Sequence, residues 1–144
     1  MKFLAVFFLL FAAAAAETPK IFYSKSFPGS VPEYVSVDLT RDGKAVYQEA
    51  PNDEYAQEFQ LSPEETAKVF ELVEKLDNFK RPLEAEAKVA NMGMKTFSYE
   101  NGTEKNEVKF NYTLDESARL LADWFERLTE TQQHLAGLER TVRF

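Results

Sequence analysis

Stretches of two-residue alternation between apolar and polar side chains, and two stretches of helical period, predict the elements of this chain and their order. Ile21 to Phe27 alternates in part and stops at Pro28-Gly29, a turn signal. Val35, Val37 and Leu39 alternate with Ser36, Asp38 and Thr40, the pattern of a half-buried strand. Arg41-Asp42-Gly43 then reverses the chain. A three-residue loop with Gly43 in the left-handed position pairs Leu39 with Ala45, Val37 with Tyr47 and Val35 with Glu49. A two-residue Asp-Gly turn would bury Val46 and Gln48 and expose Tyr47. Because a one-residue slip exchanges the faces, the three-residue loop is the one expected, as it buries Tyr47. Ala50 to Tyr55 reads as a loop. Ala56 to Leu61 reads as a short edge strand, since Glu58 and the glutamines limit its burial.

A helix follows. Ser62 is a good N-cap, Pro63 suits the first helical position, and Glu65 completes a capping box. Val69, Leu72, Val73 and Leu76 form one apolar stripe. Asp77-Asn78 ends the helix, with Phe79 tucked beneath it. Pro82 blocks its continuation, and Leu83 to Ala90 fits either a helical turn or an extended connection. Met94 to Glu100 alternates through Phe97 and Tyr99, Asn101-Gly102 is a hairpin signal, and Val108, Phe110 and Tyr112 alternate on the return. The aromatic face of this hairpin is better determined than its register.

Asp115 caps the last and longest helical pattern, with Glu116 in its first turn. Ala118, Leu121, Trp124, Phe125 and Leu128 make a stripe broad enough to cover a sheet. Beyond Leu128 the stripe thins. Leu121, Leu128, Leu135 and Val142 fall seven apart, while Gly137 either ends the helix or weakens it by about 1 kcal/mol. Run without a break to Arg143, the helix would be roughly 43 Å long, more than a compact domain of this size needs. The expected architecture is α+β: an antiparallel sheet with two helices packed on one face, the C-terminal one long. Residues 131–144 either pack back on the domain or project from it.

The N-terminus adds a destination. Lys2, the apolar run Phe3 to Phe11 and the alanines ending at Ala16 have the layout of a cleaved secretory signal. The run is shorter than the about 20 apolar residues that span a bilayer, so no stable membrane anchor is expected after cleavage. Residues 1–16 are therefore read as a signal peptide and 17–144 as a single domain. Of the 144 residues, 128 remain once 16 are removed, enough for one core. Loss of Lys2 leaves 16 of the 17 basic side chains against 24 acidic ones, a net charge of −8. Such a charge disfavours nucleic acid and anionic membranes. The chain has no cysteine, hence no disulfide and no thiolate chemistry. A bacterial periplasmic or secreted setting fits an exported chain of this composition.

The stretch Ile21 to Phe79 resembles a group of small exported bacterial domains of unknown function. The resemblance lies in Pro28-Gly29-Ser30-Val31-Pro32, Tyr34-Val35-Ser36-Val37, Asp42-Gly43-Lys44-Ala45-Val46-Tyr47 and the capped helix ending at Asn78-Phe79. Members commonly carry a cysteine pair around the Pro-Gly turn, and this chain has none. The tail from Glu130 to Phe144 is similar to that of uncharacterised exported proteins of soil bacteria. The resemblance implies the strand–turn–strand–helix order and the loop at Gly43. It implies no activity and no catalytic residues.

Chemistry is sparse. His134 is the only histidine, which excludes a multi-histidine metal site and leaves a triad dependent on one surface position. Asp53, Glu54, Glu58, Glu64 and Glu65 cluster before and within the first helix. They lack the Asp-x-Asp-x-Asp-Gly spacing of a calcium loop, so a solvated acidic edge is expected. Asn101-Gly102-Thr103 and Asn111-Tyr112-Thr113 match the glycosylation sequon but read as a turn and a strand. No catalytic, cofactor or metal residue is singled out. Leu135, Leu138, Val142 and Phe144 remain as an apolar edge suited to a protein partner or to a second copy of the chain. The expected function is an exported non-enzymatic domain that binds a protein or envelope component. The alternative is a small secreted carboxylate-dependent hydrolase.

Overall fold

The computed structural model describes residues 18–142, so the expected signal and Phe144 lie outside the described residues. Strands β1 (Lys20–Ser26), β2 (Tyr34–Thr40), β3 (Lys44–Gln48) and β4 (Gln57–Gln60) form a meander. Helix α1 (Pro63–Lys75) follows, then a long connection, the hairpin β5 (Met94–Asn101) and β6 (Glu104–Phe110), and helix α2 (Glu116–Val142). One fully antiparallel sheet has the order β4-β3-β2-β1-β5-β6. The chain thus crosses from one edge of the sheet to the far side of β1 by way of α1.

The loop at Gly43 has the expected length. Leu39 pairs with Ala45 and Val37 with Tyr47, and Gly43 takes φ +89°. Asp42 accepts a hydrogen bond from the Lys44 amide and one from the Thr40 hydroxyl. Those two donors, the hydroxyl first, hold its carboxyl below the ordinary value. In the second hairpin the expected aromatic face holds. The turn, however, is centred on Gly102 and Thr103, so that Phe97 lies opposite Val108. Gly102, at φ +61°, occupies the first central position, where a two-residue turn of the II′ kind places glycine.

Both helices lie on one face of the sheet. Ile21, Tyr23, Val37, Leu39, Tyr47 and Phe97 point into the layer between them, where they meet Val69, Val73, Leu76, Leu121 and Phe125. Ser62 Oγ accepts from the Glu65 amide at 3.2 Å and starts α1 as the sequence predicts. The chain leaves α1 through Asp77, Asn78 and Phe79, all at positive φ, which turns the Phe79 ring onto Phe97 at 5.1 Å. The connection after Pro82 is extended. Glu84 fastens it by accepting from the amides of Asn111 (3.1 Å) and Tyr112 (2.8 Å).

Tyr23 lies at the centre of the core, stacked on Phe125 at 4.6 Å, and its hydroxyl has no hydrogen-bond partner among the described residues. Burial first, and the charge of Glu126 second, push the phenol well above its ordinary range. A buried polar group without a partner costs about 1–3 kcal/mol. Tyr23→Phe is therefore expected to stabilise the domain by about 1 kcal/mol, read as a higher urea midpoint at unchanged slope. A lower midpoint would show that the hydroxyl does find a partner.

Candidate functional site

Helix α2 begins where Asp115 Oδ1 accepts from the Ala118 amide at 3.0 Å. Burial would raise the Asp115 carboxyl, but that amide and the Arg81 guanidinium at 2.9 Å outweigh it and lower it. From there the helix runs unbroken for 27 residues, about 40 Å. Its buried face is Ala118, Leu121, Ala122, Phe125, Thr129, Gln132 and Ala136. These positions recur every 3–4 residues and hold the period of a straight helix. The leucine row at seven-residue spacing does not, because a straight helix drifts by about 20° per heptad against it. Leu121 is fully buried and Leu128 half-buried, but Leu135, Leu138 and Val142 are 46 %, 63 % and 86 % exposed.

The C-terminal half of α2 is nevertheless held to the body by side chains the hydrophobic pattern cannot rank. Gln133 Nε2 donates to the Val31 carbonyl at 3.3 Å and Arg140 meets Glu49 at 3.0 Å, while nearer the helix start Lys25 Nζ lies 3.0 Å from Glu126 Oε1. Gly137 sits within the helix, and a Cβ there would meet nothing within 4 Å. Gly137→Ala is expected to stabilise by about 0.5–1 kcal/mol, visible as a small rise in melting temperature. No change or a fall would mean that the glycine serves a bend or a contact.

This arrangement opens two adjoining depressions between α2 and β4, which share Ala56, Gln57 and Glu139. The first, of about 610 Å³, carries the charged side chains: Tyr47, Glu49, Asp53, Glu54, Tyr55 and Arg140 line it with Ala136 at its helix wall. The second, of about 750 Å³, is apolar along the helix, with Leu135, Leu138 and Val142 facing Phe59 across a groove. Three of the four predicted partner-binding residues thus line one groove, and the fourth, Phe144, is outside the described residues. The β4 side of the groove escaped the sequence reading. Its signal was present, since Ala56 to Leu61 reads as an edge strand and an edge strand has a free side.

Two carboxylates of the first depression, Glu49 and Asp53, are bound to structural partners. Tyr47 donates to Glu49 at 3.2 Å, and the other Glu49 oxygen meets Arg140. Asp53 accepts from the amides of Tyr55 (2.9 Å) and Glu49 (3.1 Å), which in that order hold its carboxyl below the ordinary range. It staples the loop and stays ionised, the wrong state for a general acid. Of the other predicted acids, Glu54 lines the same depression but is exposed, Glu58 is exposed on β4, and Glu64 and Glu65 flank the start of α1. Among the described residues no three histidine, aspartate or glutamate side chains come together to hold a cation. His134 is exposed on α2.

A separate cluster surrounds Lys95, which is buried on the inner face beside Lys25. Its ammonium donates to the carbonyls of Asn111 (2.9 Å) and Gly93 (3.3 Å), joining the end of β6 to the long connection. Burial, and then the neighbouring Lys25, lower its pKa. No protein-family model matches the chain, and no curated protein is similar to it.

Proposed function

We propose that this chain is an exported, non-enzymatic domain that binds a protein or envelope component through the C-terminal half of α2. The observation that supports this reading is the apolar strip Leu135, Leu138 and Val142. It is exposed on a helix that an ion pair and a hydrogen bond keep in place, beside a strand edge with which no strand pairs among the described residues. Apolar side chains held in water on a rigid element are the usual basis of a helix or strand recognition surface. The bound state of Glu49 and Asp53 supports binding over carboxylate hydrolysis in the neighbouring depression.

The test has two parts. Expression of the full chain in a bacterial host is expected to yield an exported form that begins near Glu17; retention of residues 1–16 inside the cell would overturn the export reading. The purified exported form and its Leu135→Asp/Leu138→Asp variant are then compared in capture from periplasm or medium. The variant changes exposed positions and is expected to keep its melting temperature. A component held by the parent and lost by the variant supports the reading, and identical capture by both removes it.

A further inference from the structure

We infer that the groove beside β4 takes an extended, basic segment of a partner protein, added as a seventh strand to the free edge of the sheet. This rests on the reading that α2 is a binding surface, and it names what is bound there.

The geometry is that of a sheet one strand short. Gln57 to Gln60 pair with β3 on one side only. Among the described hydrogen bonds outside the sheet, none ends on the backbone of these four residues. A strand laid beside β4 would lie about 4.8 Å further out. Its alternate side chains would then face Leu135, Leu138 and Val142, the residues that wall the groove opposite Ala56 to Phe59. The helix thus already covers a position the sheet does not fill. The opposite edge is different: β6 carries Glu104, Lys105, Glu107 and Lys109, the charged dressing that blocks edge pairing, whereas β4 carries only Glu58.

Charge selects the occupant. Asp53, Glu54, Glu58 and Glu139 line the two depressions and take part in none of the ion pairs among the described residues. The one cation among the described residues of the lining, Arg140, is held by Glu49. An apolar strip with an acidic rim fits a strand in which apolar residues alternate with lysine or arginine. A second copy of this chain would bring acid against acid, and the chain as a whole has a formal charge of −7.

The test is a titration of the isotope-labelled exported form with a short synthetic peptide of alternating valine and lysine, followed by amide NMR. Expected are shifts confined to Gln57–Gln60 and the C-terminal half of α2, with new exchange protection on β4 amides. Binding should weaken about tenfold or more for Leu138→Asp, and likewise for Glu58→Lys/Glu139→Lys. N-methylation of the peptide on its strand-pairing edge should abolish it, because those N–H groups form the new ladder. Equal binding of the N-methylated peptide would overturn strand addition. Equal or tighter binding of a valine–glutamate peptide at the same amides would overturn the basic occupant while leaving α2 a binding surface. Concentration-dependent shifts of these amides without peptide would make the occupant a second copy. Silence with every peptide overturns this inference, and the capture comparison above then decides separately whether α2 binds anything.

Discussion

Replacing Phe97 with alanine is expected to destabilise the domain by about 3–5 kcal/mol. Phe97 is fully buried, and its ring lies 5.1 Å from Phe79 and Phe110, 5.9 Å from Tyr23 and 6.1 Å from Phe125. These partners come from β1, β6, α2 and the turn after α1, so one side chain joins four separate parts of the chain in the core. Alanine removes the transfer energy of the ring and leaves a cavity whose walls belong to a sheet and a helix that cannot close on it. Domains of this size hold about 5–15 kcal/mol in total, so a large share of the stability would go. Equilibrium urea unfolding measures it. A loss under about 1 kcal/mol would mean that the aromatic cluster is not the centre of the core.

Gly43→Ala is expected to cost about 2–3 kcal/mol through backbone conformation and space rather than lost apolar area. At φ +89° an alanine is strained, and its Cβ would stand 2.7 Å from the Leu61 carbonyl oxygen and 2.6 Å from Gln60 Nε2. The glutamine can move aside; the carbonyl cannot, because it belongs to the segment that leads into α1. The Leu61 amide donates to Gly43 O at 2.9 Å, so the β2–β3 loop and the start of the helix are one packed unit. The variant should therefore loosen α1 as well as the hairpin. Faster amide exchange at both places would show it, whereas exchange confined to residues 40–44 would argue that the two are independent.

Much of this fold was legible because local chemistry and burial agree. The loop length at Gly43 followed from one rule, that Tyr47 and Val37 share the buried side, and the sheet observes it. Ser62 and Asp115 both cap the helices they precede, since a side-chain acceptor one turn ahead of free amides needs no tertiary partner. The hairpin between β5 and β6 showed its face but not its turn. Moving the turn by one residue leaves every aromatic on the same side, and periodicity cannot see the difference.

The groove was only half legible. The exposed leucines were visible as a row, but the face that α2 buries in its second half is Thr129, Gln132 and Ala136. Small and polar residues carry no hydrophobic signal, and their burial depends on where the helix rests on the sheet edge, a position that the Arg140–Glu49 and Gln133–Val31 contacts help to hold. Contacts of that kind join residues about a hundred positions apart in the chain.

What the sequence by itself determined is the set of local elements: strand faces, caps, the loop at Gly43 and the start of the last helix. Each depends on residues within a turn or two of one another. Only the tertiary structure decided that the last helix passes through Gly137, that its leucines leave the buried face, and that they come to stand beside the free edge of β4. The reason is geometric. A straight helix of 3.6 residues per turn carries a heptad row round by about 20° per heptad, and whether the turned row at Leu135 is still covered depends on where the sheet stops.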